Sequence, residues 1–221
     1  TVFNAGMIPG AGANGDNTYI GIDSHSSRSV IKNCVVNNAG YNGMAIDHGI
    51  LQYNYINNVC QLKQDGGGTY IANASRGDTV QYNIITNVGY NISASDGYNG
   101  ISGNQGIYFD TKSNGIFCDH NSTIHTWGHG IYLADPDSAT VTNNTCYDAG
   151  FQPSQMKGFA FCWYLDTSYV MSTTPYPAGL NVTHNKFWGT GNSATGYGAN
   201  VYYLEILRPG DSTSFGKIDS N

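Results

Sequence analysis

The residues best suited to chemistry are aspartates that end short segments in which apolar residues alternate with other types. YIGID ends at Asp23, MAID at Asp47 and IYFD at Asp110. In IYFD, Tyr108 stands two residues before the aspartate, and alternation along a strand places both side chains on one face. Carboxylates act as acid, base and nucleophile in glycoside hydrolysis, and tyrosine offers a flat apolar ring with a polar end. These residue types predict a surface for sugar chemistry.

The same alternation in the other segments predicts two neighbouring columns of outward side chains. The tyrosine column contains Tyr70, Tyr108 and Tyr132. The second column contains Asp23, Asp47, Ala72, Asp110 and Ala134. An alternative without a ligand remains open, in which the tyrosines pack against one another and the aspartates only make the face soluble.

The elements that must position these residues are marked by a repeat of an apolar residue, two variable residues and asparagine. It occurs six times, with its asparagine at Asn33, Asn54, Asn83, Asn121, Asn144 and Asn185. The shortest interval, 21 residues, is rich in Gly and Asn and has no helical periodicity. Such units indicate a parallel β-solenoid in which equivalent residues stack about 4.8 Å apart. We expect the repeated asparagines to hydrogen-bond from coil to coil.

The repeat predicts an all-β protein, a parallel β-helix of about seven coils with loop insertions. Residues 1–221 are predicted to form a single domain, because copies of the repeat stand on both sides of each insertion. A segment of a longer β-helix fits equally, since no capping element is recognisable. The clearest insertions, residues 91–104 and 168–179, are loops of the kind that carry function.

The composition excludes two classes of partner. Nine Lys and Arg and fifteen Asp and Glu make up 11% of the chain, with a net charge of −6, whereas charged residues usually make up about 25%. Nucleic acid is excluded because phosphate binding needs a basic surface. Membrane insertion is excluded because no apolar run approaches the roughly 20 residues that a spanning helix needs.

Several motifs resemble those of a known family. DGGGTYI (residues 65–71), GIYFD (106–110), GHGIYL (128–133) and TVTNNTCYDAG (140–150) occur in that order. They resemble the right-handed, pectin-lyase-like parallel β-helix proteins of the secreted, carbohydrate-active type. The resemblance implies a right-handed coil of three sheets, an extracellular location and a glycan along one sheet. It also implies that Asp65 and Asp110 lie in or near the active groove.

Narrower resemblances add two groups of candidates. The GHG element of polygalacturonases is present around His129, without their NTD, DD and RIK elements. Asp135 belongs to a DPD segment that is similar to the DPHD element of alginate epimerases but lacks its histidine. In a lyase, Lys112 is the best candidate base, and calcium would be the ion that neutralises a uronate. With so few basic residues, a neutral or mixed glycan is favoured over a polyanion.

The histidines and cysteines are assigned by position. His48, beside Asp47, and His129, at the start of GIYL, are predicted to contact substrate or transfer protons. No metal site is predicted, because the pair four residues apart, His125 and His129, lacks helical character. Cys118 and Cys146 are predicted core residues, and one disulfide is allowed among Cys34, Cys60 and Cys162.

The sequence therefore predicts a secreted polysaccharide-processing protein, in first place a glycoside hydrolase without a cofactor. Asp110 with Asp65 or Asp47 would be the catalytic carboxylates. Substrate contacts would come from Tyr70, Tyr108, Tyr132, Asp23, His48, Lys112, His129 and Asp135. Two alternatives stay open, a polysaccharide lyase and a non-catalytic spike, adhesin or filament component that self-associates as a trimer or end to end.

Overall fold

A computed structural model describes residues 1–10, 18–26, 28–71, 75–89, 103–134, 136, 138–150, 161–165, 179–189, 202–206 and 217–219. Both predicted insertions fall almost entirely outside these residues. Within the described part the chain contains strands and turns and no helix, so none of it forms a helix able to cross a membrane.

Three parallel sheets of seven strands each build the molecule. Sheet A contains β1 (Val2–Ala5), β4 (Val35–Ala39), β7 (Tyr55–Val59), β10 (Ile84–Val88), β13 (Ser122–Thr126), β16 (Thr145–Ala149) and β19 (Lys186–Gly189). Sheet B contains β2 (Ile22–Ser24), β5 (Met44–Ile46), β8 (Gly67–Ile71), β11 (Gln105–Phe109), β14 (Ile131–Ala134), β17 (Phe161–Leu165) and β20 (Tyr202–Ile206). Sheet C contains β3 (Ser29–Lys32), β6 (Gly49–Gln52), β9 (Thr79–Gln81), β12 (Ile116–Asp119), β15 (Ala139–Thr142), β18 (Leu180–Thr183) and β21 (Lys217–Asp219).

The chain visits the sheets in the fixed order A, B, C, so every three strands complete one coil. Each strand pairs in parallel with the strand three positions before or after it. This arrangement is the predicted parallel β-helix of about seven coils. Its right-handed winding stays a prediction, in keeping with the general preference of parallel crossovers.

The core is a column of apolar side chains enclosed by the three sheets. Inward positions such as Ile56 of sheet A, Phe109 of sheet B and Leu51 of sheet C are fully buried. Cys118 and Cys146 are also fully buried, as predicted. The disulfide allowed by the sequence is absent, since the five cysteines, all within the described residues, form no disulfide.

The asparagine ladder is present at the turn from sheet C to sheet A. Asn121 shows the pattern: its Oδ1 accepts from the backbone N–H of Asn83 at 3.0 Å, and its Nδ2 donates to Oδ1 of Asn144 at 2.9 Å and to the Val80 carbonyl at 2.8 Å. Asn54 and Asn185 continue the ladder, and all five asparagines are buried. These bonds satisfy buried backbone groups that the turn leaves without a strand partner.

The prediction for the first asparagine is wrong. Cys34, not Asn33, occupies the ladder position, because the Cys34 N–H donates to Oδ1 of Asn54 at 3.0 Å. Asn33 is exposed and precedes the ladder by one residue, with φ of 54°. The same left-handed position is held by Tyr53, Tyr82, His120, Asn143 and His184. His120 and His184 therefore belong to the turn, and Asn and His are among the residues that tolerate this conformation best.

A glycine column brings the backbone of sheet B close to sheet A. Gly21, Gly43, Gly68 and Gly106 directly precede the paired positions Ile22, Met44, Thr69 and Ile107. A Cβ at Gly106 would lie 2.4 Å from the Gly130 carbonyl oxygen and 2.8 Å from Cγ2 of Thr123. Glycine is therefore required here by lack of space, which explains why it precedes so many sheet B segments.

Candidate functional site

The predicted tyrosine column lies on the outer face of sheet B in the predicted register. Tyr108 pairs with Tyr70 on one side and with Tyr132 on the other. The rings pack edge to face or tilted, with centroids 5.4 and 5.1 Å apart. Tyr70 and Tyr132 are half-buried, but Tyr108 is only 7% exposed. The expectation that Tyr108 faces solvent is wrong, because its neighbours cover it.

Asp110 is tied to this column at the end of β11. Its Oδ2 accepts a hydrogen bond from the Tyr70 hydroxyl at 2.5 Å, and its Oδ1 accepts from the Thr111 backbone N–H at 2.6 Å. The Thr111 hydroxyl donates to the same oxygen at 3.1 Å. Three donors thus fix the orientation of one half-buried carboxylate beside the tyrosines.

Asp65 is exposed and lies two residues before β8, at the start of the sheet B strands, whereas Asp110 lies at their end. Its Oδ1 accepts a long hydrogen bond, 3.4 Å, from the Tyr108 hydroxyl. Burial, and then the negative charges of Asp110 and Asp65, raise the pKa of Tyr108 well above its usual value, and the pKa of Tyr70 rises for the same reasons. Both phenols therefore remain protonated donors, and both carboxylates act on the same pair of tyrosines.

His129 joins the other end of the column. Its ring stacks on Tyr132 with centroids 5.1 Å apart. Burial lowers the pKa of His129 to about 3, so the imidazole is neutral at physiological pH. His129 is only 9% exposed, so its substrate contact stays a prediction, and the lowered pKa disfavours proton donation from an imidazolium.

Asp47 and Asp23 form a separate cluster with a histidine that the sequence did not single out. His25 Nδ1 lies 2.9 Å from Oδ2 of Asp47, and its Nε2 lies 3.0 Å from Oδ2 of Asp23. Carboxylates only accept hydrogen bonds, so the ring makes both bonds together when it is protonated and both nitrogens donate. The hydrogen bond to Asp47 raises the pKa of His25 and so favours this form. The single positive charge is then shared between Asp47 and Asp23.

The predicted aspartate column is correct for Asp47 and Asp110 and wrong for Asp23. Asp47 and Asp110 directly follow Ile46 and Phe109, which both pair with Ile71. Asp23 instead pairs with Ala45, which in turn pairs with Tyr70. Asp23 therefore begins the tyrosine column, two residues from its predicted position.

The remaining predicted contacts lie in turns. His48, with φ of 52°, accepts the Arg76 backbone N–H on its Nδ1 at 3.1 Å, so its imidazole holds the next coil in place. Lys112, with φ of 66°, lies in the turn after β11, and its N–H donates to the Ala134 carbonyl. Asp135 lies outside the described residues. Across the described part of the chain no group of three or more His, Cys, Asp or Glu is arranged to hold a metal ion.

The sequence contained a signal for His25, because it follows Asp23 by two residues and alternation places both on one face.

The chain matches no protein-family model, no curated protein and no solved structure in the comparisons made.

Proposed function

We propose that the outer face of sheet B binds a glycan and that this secreted, pectin-lyase-like protein acts as a glycoside hydrolase. The observation that carries the proposal is the pair of carboxylates, Asp110 and Asp65, hydrogen-bonded to neighbouring tyrosines. The half-buried rings of Tyr70 and Tyr132, a neutral imidazole and two carboxylates combine apolar contact, hydroxyl recognition and acid–base groups on one sheet face.

The two carboxylates differ in ways that suit different roles. Both oxygens of Asp110 accept hydrogen bonds, which hold the carboxylate in one orientation and fit a base or nucleophile. Asp65 is exposed, so a leaving group can reach it, which fits the role of the acid. Asp47 is the weaker candidate, because its Oδ2 is already hydrogen-bonded to the His25 ring.

The test compares three single variants on a panel of neutral and acidic polysaccharides, read as new reducing ends. Asp110→Asn and Asp65→Asn are expected to lower kcat about 10²- to 10⁴-fold, the usual size of an acid–base contribution. Asp47→Asn tests the weaker candidate and should keep kcat within a few-fold. Thermal unfolding must show that each variant is folded at the assay temperature, and full activity of Asp110→Asn would refute the assignment.

A second candidate function is glycan binding without hydrolysis, and the hydrogen bonds already made by the Asp110 carboxylate favour it. Both of its oxygens are already hydrogen-bonded, and the adjoining Tyr108 is buried. This candidate predicts binding of a polysaccharide without new reducing ends. Absorbance from unsaturated products would instead indicate a lyase, with Lys112 as the residue to replace.

A further inference from the structure

The outer face of sheet A carries a second set of exposed apolar side chains, far from the sheet B tyrosines in the coil. Five successive strands, β7 to β19, each contribute one, and these are between 37% and 51% exposed: Tyr55, Ile84, Ile124, Tyr147 and Trp188. Tyr55 pairs with Ile84, and Ile124, Tyr147 and Trp188 pair in succession. Ile84 pairs with Ser122 and Ile124 pairs with Thr86, so the two groups lie in columns two residues apart. The strip that they form is therefore stepped, and its part from Ile124 to Trp188 spans two coil spacings, about 10 Å.

Most of the other outward positions of this face are amides and hydroxyls, and the exceptions are Val35 and Lys186. Asn57 donates to Oδ1 of Asn37 at 2.7 Å, and the Thr86 hydroxyl donates to Oδ1 of Asn57 at 2.7 Å. From β4 to β19 the alternating outward positions include one formally charged residue, Lys186. A uronate polymer or a phosphate backbone would require several cations here, and the face does not provide them.

Ring geometry distinguishes this strip from the stacked aromatics at the neighbouring turn. Tyr53, Tyr82 and His120 stack face to face with centroids 4.9 Å apart, so both faces of Tyr82 are covered by its neighbours, although Tyr53 at the end of the stack is 52% exposed. Tyr147 and Trp188 instead meet at 64° with centroids 6.5 Å apart, and each is about half exposed. Their faces therefore form an open corner against which a ligand ring can pack.

From these contacts we infer that the outer face of sheet A is a second glycan-binding surface, for a single neutral polysaccharide chain that lies across the coils. Aromatic faces at Tyr147 and Trp188 would contact the apolar side of sugar rings, and the asparagine and threonine side chains would meet the hydroxyls. A protein interface of this size would be expected to enrich Arg and Met among its central aromatics, and neither stands at these outward positions. The surface does not depend on hydrolysis at sheet B.

The test is affinity electrophoresis in native gels that contain soluble β-glucan, xylan, galactomannan or, as the charged comparison, polygalacturonate. The wild-type protein should be retarded by at least one neutral polymer and not by polygalacturonate. Tyr147→Ala with Trp188→Ala should weaken that binding about tenfold, as expected for two aromatic contacts. Phe117→Ala is the matched control, because Phe117 is 38% exposed on sheet C.

Three results would overturn the inference: no retardation by any neutral polymer, equal retardation of the double variant, or preferential retardation by polygalacturonate. A wild-type dimer that the double variant converts to a monomer would also overturn it, since the face would then be an interface between copies. Asp110→Asn separates this inference from the proposed function, because it should abolish hydrolysis and leave the effect of the double variant unchanged.

Discussion

Replacement of Asn121 by alanine is predicted to destabilise the coil by about 4 kcal/mol. Asn121 is buried, and its amide makes four hydrogen bonds to nitrogen and oxygen atoms, two from Asn83 and one each to Val80 and Asn144, besides a weak one to the Cys118 sulfur at 3.5 Å. The Asn83 backbone N–H would lose the acceptor that it has inside the ladder, at a cost of about 2 kcal/mol. The three other lost bonds contribute about 0.5–1 kcal/mol each, because Asn83 Nδ2 keeps its bond to Leu51 and Asn144 Oδ1 keeps the Asn121 N–H.

Asn57→Ala is the matched control. Asn57 also bonds to several side chains of adjacent coils, Asn37, Thr86 and Asn87, but it lies half-buried on the outer face of sheet A. Water can replace the missing amide there, so the expected loss is below about 1 kcal/mol.

The assay is urea unfolding, in which a lower midpoint at constant slope reports lost stability. Hydrogen exchange should also show that the Asn83 amide loses its protection in Asn121→Ala, but not in Asn57→Ala. Equal destabilisation by the two variants would refute the reasoning, because it would mean that burial of the ladder does not determine its contribution.

Two further predictions concern the first coils. The pKa of His25 is raised by its hydrogen bond to Asp47, so the stability that this bond contributes is present below pH 6.5 and is lost as the pH rises through the higher folded pKa. An NMR titration should place the His25 midpoint above 6.5, and His25→Gln should remove this part of the pH dependence of unfolding. A midpoint at or below 6.5 would contradict the cluster. Cys34→Asn should add a ladder bond to Asn54 and raise the unfolding free energy by about 1 kcal/mol, and a lower urea midpoint for this variant would argue against that pairing.

The left-handed turn residues explain part of the unusual composition. The outer edge of sheet A has a second column with positive φ, at Asn4, Asn38, Asn58, Asn87, His125 and Asp148. Asn58 donates to Asn38 at 2.5 Å, and His125 lies 2.5 Å from Asp148, so these residues also join successive coils. Asparagine, aspartate and histidine are the residues enriched in this conformation. Much of the Asn and His content is therefore required by the turns rather than by a ligand.

The sequence by itself determined the fold and the tyrosine register. Apolar alternation and the repeated asparagine specify coils of two or three short parallel strands, because burial on one face and a buried amide in each turn leave few other arrangements. The number three came from the family resemblance, and the structure confirms it. The pairing of Tyr70, Tyr108 and Tyr132 followed from the same alternation, and the structure confirms it.

Only the tertiary structure decided which side chains meet. A shift of two residues keeps every side chain on its own face, so alternation could not detect that Asp23 aligns with Ala45 rather than Asp47. A shift of one residue went undetected at Asn33, because Val30 and Ile31 are both apolar, although Val30 is outward and 54% exposed. The hydrogen bonds of His25 with Asp47 and of Tyr70 with Asp110 join side chains of different coils. They depend on the strand register and on the direction of each side chain, and the sequence of one strand does not predict either.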